Sequence, residues 1–254
     1  MSKQEVIRVE HLIRNYKIIQ TENQKAKELK VLKGLDFTIK EQEFVGIMGK
    51  SGCGKTTLLK ILGLIDKPTR GNVYFYGRNA SELWSDELAD IRRRKIGFVF
   101  QDFYLLNSLS VEENIMLPMV LDKAEVKDCY RNAHKFGKKF GVDHLLKKQP
   151  YEISGGEKQR VAICRALINN PNLILADEPT GNLDSKSGQI VINALKEINE
   201  KMKKTIIMVT HDPQMASHCS RLILLKDGVI LEDLKRKGTI EEFYEEIIGK
   251  MKEL

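Results

Sequence analysis

The 254-residue sequence predicts an α/β protein with a buried parallel sheet, an antiparallel β subdomain near the N-terminus and an inserted helical subdomain. Three observations predict it. Short runs rich in Val, Ile and Leu alternate with stretches of helical period, the pattern of strands joined by crossover helices. Between residues 102 and 168 the strand-like runs stop and helical spacing takes over. A Gly-rich loop joins a short apolar run to a helical pattern, so that strand, loop and helix form one unit.

Taken in order, Val6 to Leu12 and Val31 to Ile39 read as strands from their alternation and β-branched content. The polar stretch between them, Lys17 to Lys30, reads as an exposed loop. Phe44 to Met48 is a short β run that leads through GKSGCGKTT into the helical spacing of Leu58, Leu59, Ile61 and Leu62. Asn72 to Tyr76 and Ile96 to Phe100 follow as strands, with a helix from about Glu82 to Arg94 between them. In the middle region Ser110-Val-Glu-Glu113 fits a capping box, in which a serine oxygen and a glutamate each satisfy an orphan amide. Leu117-Pro118 is expected to interrupt that helix, Ala124 to Phe140 resumes helical spacing, and Ser154-Gly-Gly156 opens a helix that runs to Leu167. Beyond Asn172 come a strand ending in Asp177, a helix over about Lys186 to Met202, a strand over Thr205 to Thr210, and a hairpin turning at Asp227-Gly228. The tail opens on another capping box, Thr239 to Glu242, and spaces Ile240, Phe243, Ile247 and Ile248 as a helix stripe, expected to be core or a partner contact. The expected organisation is one domain over 1–254: core 1–101 and 154–238, helical subdomain about 102–153, C-terminal helix about 239–254.

Composition removes several function classes. Apolar residues at 42% and charged residues at 30% are ordinary globular usage, not a disordered chain. No run reaches the 18 or so apolar residues of a membrane span, and the start lacks the apolar centre of a signal peptide. Four cysteines far apart, with no CxxC spacing, argue against a disulfide scaffold or a zinc ribbon and point to a reducing compartment. A net charge of +7 over this length is a weak pointer to nucleic acid, and Arg92 to Lys95 reads as a solvated helix end, so no nucleic-acid partner is expected.

The chemistry begins at Gly49-Lys50-Ser51-Gly52-Cys53-Gly54-Lys55-Thr56, which matches G-x-x-x-x-G-K-[ST] without a gap and is followed by Thr57. Glycines let backbone N–H groups turn onto phosphates, and the following helix points its positive end at them. Lys55 suits the β- and γ-phosphates and the Thr56 hydroxyl suits Mg²⁺. A chance Gly/Ser-rich turn does not account for this match at a strand-to-helix junction. These residues are expected to bind a nucleoside triphosphate, and they make the α/β core a P-loop NTPase core. The buried run Leu173 to Ala176 then delivers Asp177 and Glu178. Two carboxylates at a buried strand end are costly without a cation or a proton-transfer role. Asp177 suits Mg²⁺, and Glu178 suits the general base that polarises an attacking water.

Phosphate loop and acid pair together describe many ATPases and GTPases. The run Ile153-Ser154-Gly155-Gly156-Glu157-Lys-Gln-Arg160, upstream of the acid pair, narrows the field. With it the sequence resembles the nucleotide-binding subunit of ATP-binding cassette transporters, with motifs in family order from Tyr16 to Asp227. The resemblance implies that Tyr16 stacks on adenine and that Gln101 is the glutamine sensing Mg²⁺ and water. It implies that Ser154, Gly155, Gly156 and Glu157 are the signature, acting in trans on the γ-phosphate of a second chain. Asn182-Leu183-Asp184 resembles the dimer-contacting loop, and His211 the switch histidine. The signature departs from the commonest form, Leu-Ser-Gly-Gly-Gln, at Ile153 and Glu157.

The implied protein hydrolyses ATP with Mg²⁺ as a homodimer docked on an integral membrane permease at the cytoplasmic face of the membrane. The stretches EFVGIMGKSGCGKTTLLKILGLIDKPTRG, IGFVFQDFYLLNSLSVEENIMLP and ADEPTGNLDSKSG resemble the branch serving macrolide export, lipoprotein release and antimicrobial-peptide resistance. TIIMVTHDPQMASHCSR and the Lys-rich composition resemble the bacitracin- and lantibiotic-resistance type, which also implies a sensor kinase reached through the permease. The alternatives are macrolide or lipoprotein export within the branch, and a soluble cassette ATPase outside transport.

Overall fold

The computed structural model describes residues 3–18 and 27–252. In chain order the elements are β1 (Glu5–Ile18), β2 (Lys27–Lys40), β3 (Phe44–Met48), α1 (Lys55–Leu62), β4 (Arg70–Phe75), β5 (Arg78–Asn79), α2 (Ser85–Lys95) and β6 (Ile96–Val99). Then follow α3 (Val111–Leu121), α4 (Val126–Lys139), α5 (Gly155–Leu167), β7 (Leu173–Asp177) and α6 (Ser185–Glu200). The last are β8 (Thr205–Thr210), α7 (Pro213–Ser217), β9 (Arg221–Lys226), β10 (Val229–Lys235) and α8 (Ile240–Met251). The chain forms two units, one of residues 1–88 and 209–254 and the other of residues 89–208.

In the first unit an antiparallel sheet has the order β2-β1-β4-β5. A second run of strands has the order β10-β9-β3, with β3 parallel to β9 and β9–β10 forming the expected hairpin. Residues of β1 such as Val6, Ile7, Val9 and Leu12 are buried. Arg221 is the strut between the two runs. Its guanidinium donates twice to Asp233 at 2.7 Å, once to the Thr38 carbonyl at 2.7 Å and once to Glu43 at 3.3 Å. The Asp233 carboxylate beside it raises the guanidinium above its ordinary range. Arg221 is buried while Asp233 reaches solvent, so truncating the arginine costs chiefly its own packing and its bond to the Thr38 carbonyl. Arg221→Ala is expected to lower the unfolding free energy by about 2 kcal/mol, measured by urea denaturation at pH 7. A midpoint equal to wild type would show that the strut carries no stability. The tail helix α8 is core on one side: Phe243 and Ile247 pack with Met48, Ala216, Leu222 and Leu224.

In the second unit β6 and β7 run parallel in register from Ile96↔Leu173 to Val99↔Ala176, within the order β8-β7-β6. The helices α3, α4 and α5 pack on one another. The Ser110 capping box forms as read: Glu113 accepts from the Ser110 amide at 2.7 Å and from its hydroxyl at 2.8 Å. Asn114, fully buried, fixes the loop before α3 by accepting from the Leu106 amide and donating to the carbonyls of Leu106, Leu109 and Ser110.

Two local expectations change. Leu117-Pro118 does not interrupt α3, which runs through Pro118 to Leu121. Proline forfeits one amide bond, but the Pro118 carbonyl still accepts from the Asp122 amide at 3.1 Å and from the Asn169 side chain at 3.2 Å, so the helix end is held. The stretch Lys17 to Lys30 is not wholly loop, because β1 reaches Ile18 and β2 starts at Lys27. Lys17 pairs with Glu28, and Glu28, Leu29 and Lys30 are exposed, so this end of the ribbon lacks the apolar alternation that marks a half-buried strand. Residues 19–26 of that stretch lie outside the described residues. All four cysteines are buried and unbridged.

Candidate nucleotide site

In the first unit every residue of β3 is buried, which fixes the start of the phosphate loop in the core. The loop ends at Gly54, whose φ of 106° is left-handed. A Cβ at that position would lie 2.8 Å from Leu32 Cδ2, so only glycine meets both the backbone and the packing demand. Gly54 is the N-cap of α1, and α1 has neither a side-chain cap nor an acidic residue in its first turn. Its positive end therefore lacks the usual internal compensation.

Lys55 is buried, and its Nζ donates to the Gly49 carbonyl at 2.8 Å and the Lys50 carbonyl at 3.1 Å. The ammonium is thus folded back into the loop at the helix end, an arrangement suited to a polyphosphate. Lys50, Ser51, Gly52 and Thr56 are exposed and Thr57 half-buried. Burial raises the Cys53 thiol, so it is a neutral filler rather than a reactive thiolate. Tyr16 is half-buried on β1 opposite Leu29. His211 is exposed directly after β8, next to Asp212, which caps α7 by accepting from the Gln214 amide at 2.8 Å.

In the second unit β7 presents Asp177 at its end and Glu178 just beyond, both half-buried. Glu178 has a φ of 43°. Left-handed backbone at a non-glycine residue costs on the order of 1–3 kcal/mol and persists where the surroundings over-determine it. One restraint is visible. Gln159 of α5 is fully buried, and its Nε2 donates to the Pro179 carbonyl at 2.8 Å, pinning the turn that follows Glu178.

The signature opens α5. Ser154 is its N-cap, and the Glu157 carboxylate accepts from the Ser154 amide at 2.8 Å and the Ser154 hydroxyl at 2.8 Å. Those donors, the amide foremost, hold the Glu157 carboxyl below the usual carboxylate range. Glutamate at this position therefore completes a capping box. At Gly156 a Cβ would lie 2.8 Å from Ser187 Oγ, so the missing side chain lets α5 approach the start of α6. Asp184 caps α6, accepting from the Ser187 amide at 2.9 Å and hydroxyl at 2.7 Å, and is held low by that amide.

Gln101 joins this group. Its Nε2 donates to Asn182 Oδ1 at 3.3 Å, and Asn182 Nδ2 donates back to the Gln101 carbonyl at 3.3 Å and to Asp102 at 3.0 Å. The bond through Nε2 leaves the Gln101 side-chain oxygen as the acceptor. In the second unit, hydrogen bonds thus tie Gln101 to Asn182, and α5 through Gln159 to the turn after the acid pair. Gln159 was missed as a tether. Its signal was a polar residue three positions after Gly156, on a helix face that the sequence otherwise makes apolar.

Among the described residues no cluster of three or more His, Cys, Asp or Glu is assembled to hold a metal. Thr56 in the first unit, and Gln101 and Asp177 in the second, each offer a hard oxygen donor. That donor chemistry fits Mg²⁺, which takes few protein ligands and fills its sphere with water and substrate phosphate.

The sequence profile of the ABC transporter family matches residues 32–181. The chain is 44% identical over 225 residues to the bacitracin export ATP-binding protein BceA of Halalkalibacterium halodurans, covering 88% of this chain and 89% of that one. It is 46% identical over 212 residues to the macrolide export ATP-binding/permease protein MacB of Campylobacter jejuni, covering 84% of this chain but 33% of that longer protein. Among solved structures, the dimeric post-hydrolysis state of the ATP-binding cassette MJ0796 bound to ADP and Pi superposes with a TM-score of 0.83. It is 41% identical, and the match spans 91% of this chain and 99% of that one.

Proposed function

The chain belongs to the ABC transporter family as an ATP-hydrolysing subunit of the exporter type, and from that premise we propose that it powers a separate membrane permease conferring resistance to antimicrobial peptides of the bacitracin and lantibiotic kind. The observation that carries this reading is the near-complete mutual alignment with a bacitracin export ATP-binding protein, 88% of one and 89% of the other. The permease supplies the pore, and the ATPase sits at the cytoplasmic face of the membrane. A sensor kinase is reached through the same permease.

In this reading two chains pack head to tail. The phosphate loop, Gly49 to Thr57, wraps the triphosphate, Lys55 neutralises the β- and γ-phosphates, and Tyr16 stacks on the adenine. Ser154, Gly155, Gly156 and Glu157 of the opposite chain close on the γ-phosphate, with Asp184 at the dimer contact. Thr56, Gln101 and Asp177 would hold Mg²⁺, which would supply neutralisation of phosphate charge. Glu178 accepts a proton from the attacking water, and His211 stabilises the charge that builds on the γ-phosphate. Because the signature belongs to the other chain, catalysis is assembled only on closure, which couples ATP binding to a mechanical stroke.

The helical subdomain, about 102–153, receives the permease's cytoplasmic helices beside Gln101. An open groove of about 580 Å³ supports that placement. It is lined by Phe98, Phe100, Tyr104, Leu117, Pro118 and Leu121 and so abuts Gln101 in the chain. No helix among the described residues is long and apolar enough to cross a membrane.

The test is to delete the gene in the organism that carries it and measure growth inhibition by bacitracin, a lantibiotic and a macrolide. The expected result is hypersensitivity to one or both peptides and unchanged sensitivity to the macrolide, restored by the wild-type gene and not by Glu178→Gln. Hypersensitivity to the macrolide alone would place the protein with the MacB-like exporters instead.

A further inference from the structure

Asp66, just beyond α1, gathers two side chains of β1 on one oxygen. Its Oδ2 accepts from the Tyr16 hydroxyl at 3.0 Å and pairs with Arg14 at 3.0 Å. The Arg14 guanidinium carbon lies 4.3 Å from the centroid of the Tyr16 ring. Arg14 Nε is buried and finds no hydrogen-bond partner among the described residues. An arginine that leaves a buried N–H unsatisfied while lying on a ring is placed for stacking rather than for a full set of hydrogen bonds. Asp66 is itself anchored: its Oδ1 accepts from the Lys67 amide at 2.8 Å, and its own amide donates to the Lys60 carbonyl of α1 at 3.2 Å.

Register places this group beside the phosphate loop. Arg14 faces Leu32 across the β1–β2 ladder, and Leu32 is the residue that a Cβ on Gly54 would strike at 2.8 Å. Tyr16 is two residues further along, about 7 Å of strand. The ring is therefore a short step from the loop.

We infer that Asp66 is a positioning residue for the nucleotide base, holding Tyr16 and Arg14 as a two-layer platform whose ring face opposite Arg14 stacks on adenine. This rests on the proposed role of Tyr16 and adds what orients it. The hydroxyl bond fixes the rotation of the ring, the guanidinium covers its rear face, and the attachment to α1 ties base and phosphate recognition to one helix. Neither Arg14 nor Asp66 belongs to a motif, so the sequence alone passes over both.

The test measures equilibrium binding of Mg-ATP and of Mg-tripolyphosphate, which lacks the base, to the full chain, four single variants and one double variant. Tyr16→Ala is expected to weaken ATP about tenfold, the scale of one base–aromatic stack. Asp66→Ala is expected to weaken ATP about fivefold and leave tripolyphosphate unchanged. Asp66→Asn, which keeps an acceptor for the Tyr16 hydroxyl but loses the charge on Arg14, should lose less than Asp66→Ala, and Arg14→Ala should weaken ATP to a similar small degree. In a Tyr16→Ala background Asp66→Ala should cost nothing more, because both act through one ring.

Equal weakening of both ligands by Asp66→Ala would overturn the inference, since the residue would then act through the phosphate loop. Tighter ATP binding in Arg14→Ala would overturn it too, since the guanidinium would then occupy the place of the base. Loss in Tyr16→Ala with none in Asp66→Ala removes Asp66 and leaves Tyr16 standing. No loss in Tyr16→Ala removes the reading beneath it.

Discussion

Glu178→Gln is expected to bind ATP with wild-type affinity, to lose at least about 100-fold in turnover, and to accumulate as a closed dimer at millimolar ATP. A positioned general base contributes about 10²–10⁴ in rate, and the amide keeps the shape of the side chain while losing the ability to take a proton. Its left-handed φ of 43° needs no carboxylate, so the local backbone is expected to survive the change. Hydrolysis is what reopens the dimer in the proposed cycle, and removing it converts a transient species into a stable one. Light scattering with and without ATP, beside a phosphate-release assay, measures both halves of the statement. A variant that stays monomeric while wild type hydrolyses would refute the two-site arrangement.

Ser154→Arg is the second large effect: hydrolysis abolished, nucleotide binding by each chain retained. Ser154 is exposed, so the substitution removes no core packing. Loss of its capping bonds costs about 1 kcal/mol of helix stability, far less than unfolding requires. What the arginine adds is a long side chain at the N-terminus of α5, on the surface that in the proposed dimer closes over the γ-phosphate of the opposite chain. Mixing Ser154→Arg with Glu178→Gln sharpens the result. A mixed dimer retains one intact composite site, pairing the Glu178→Gln signature with the Ser154→Arg acid pair. Turnover should therefore reappear in the mixture at a fraction of wild type. Unaltered turnover in Ser154→Arg alone would exclude a role for the signature.

Those residues were legible because their chemistry is local. The phosphate loop is eight consecutive residues at a strand-to-helix junction, and the capping boxes at Ser110 and Thr239 are spacings of three; all appear in the fold as read. The α/β core and the strand-rich first region followed from periodicity for the same reason. What escaped is non-local. Gln159 meets Pro179 and Asp66 meets Arg14 across 20 and 52 positions of chain, and no period or motif encodes such pairs. The polar ribbon end at Lys17 and Glu28 escaped for a different reason, because pairing of backbones leaves no hydrophobic trace when the side chains remain in water. Pro118 misled because its cost is a single hydrogen bond, which a well-packed helix end absorbs.

The Gln159 tether has a consequence for how two ATP molecules report on each other. In a head-to-tail pair, the signature of a chain serves its partner's nucleotide while the acid pair of the same chain serves its own. A single buried amide, 2.8 Å from the Pro179 carbonyl, joins the helix carrying one to the turn carrying the other. Movement of the γ-phosphate in either site then pulls on the second through one stiff link, so turnover should rise with ATP concentration along a sigmoid rather than a hyperbola.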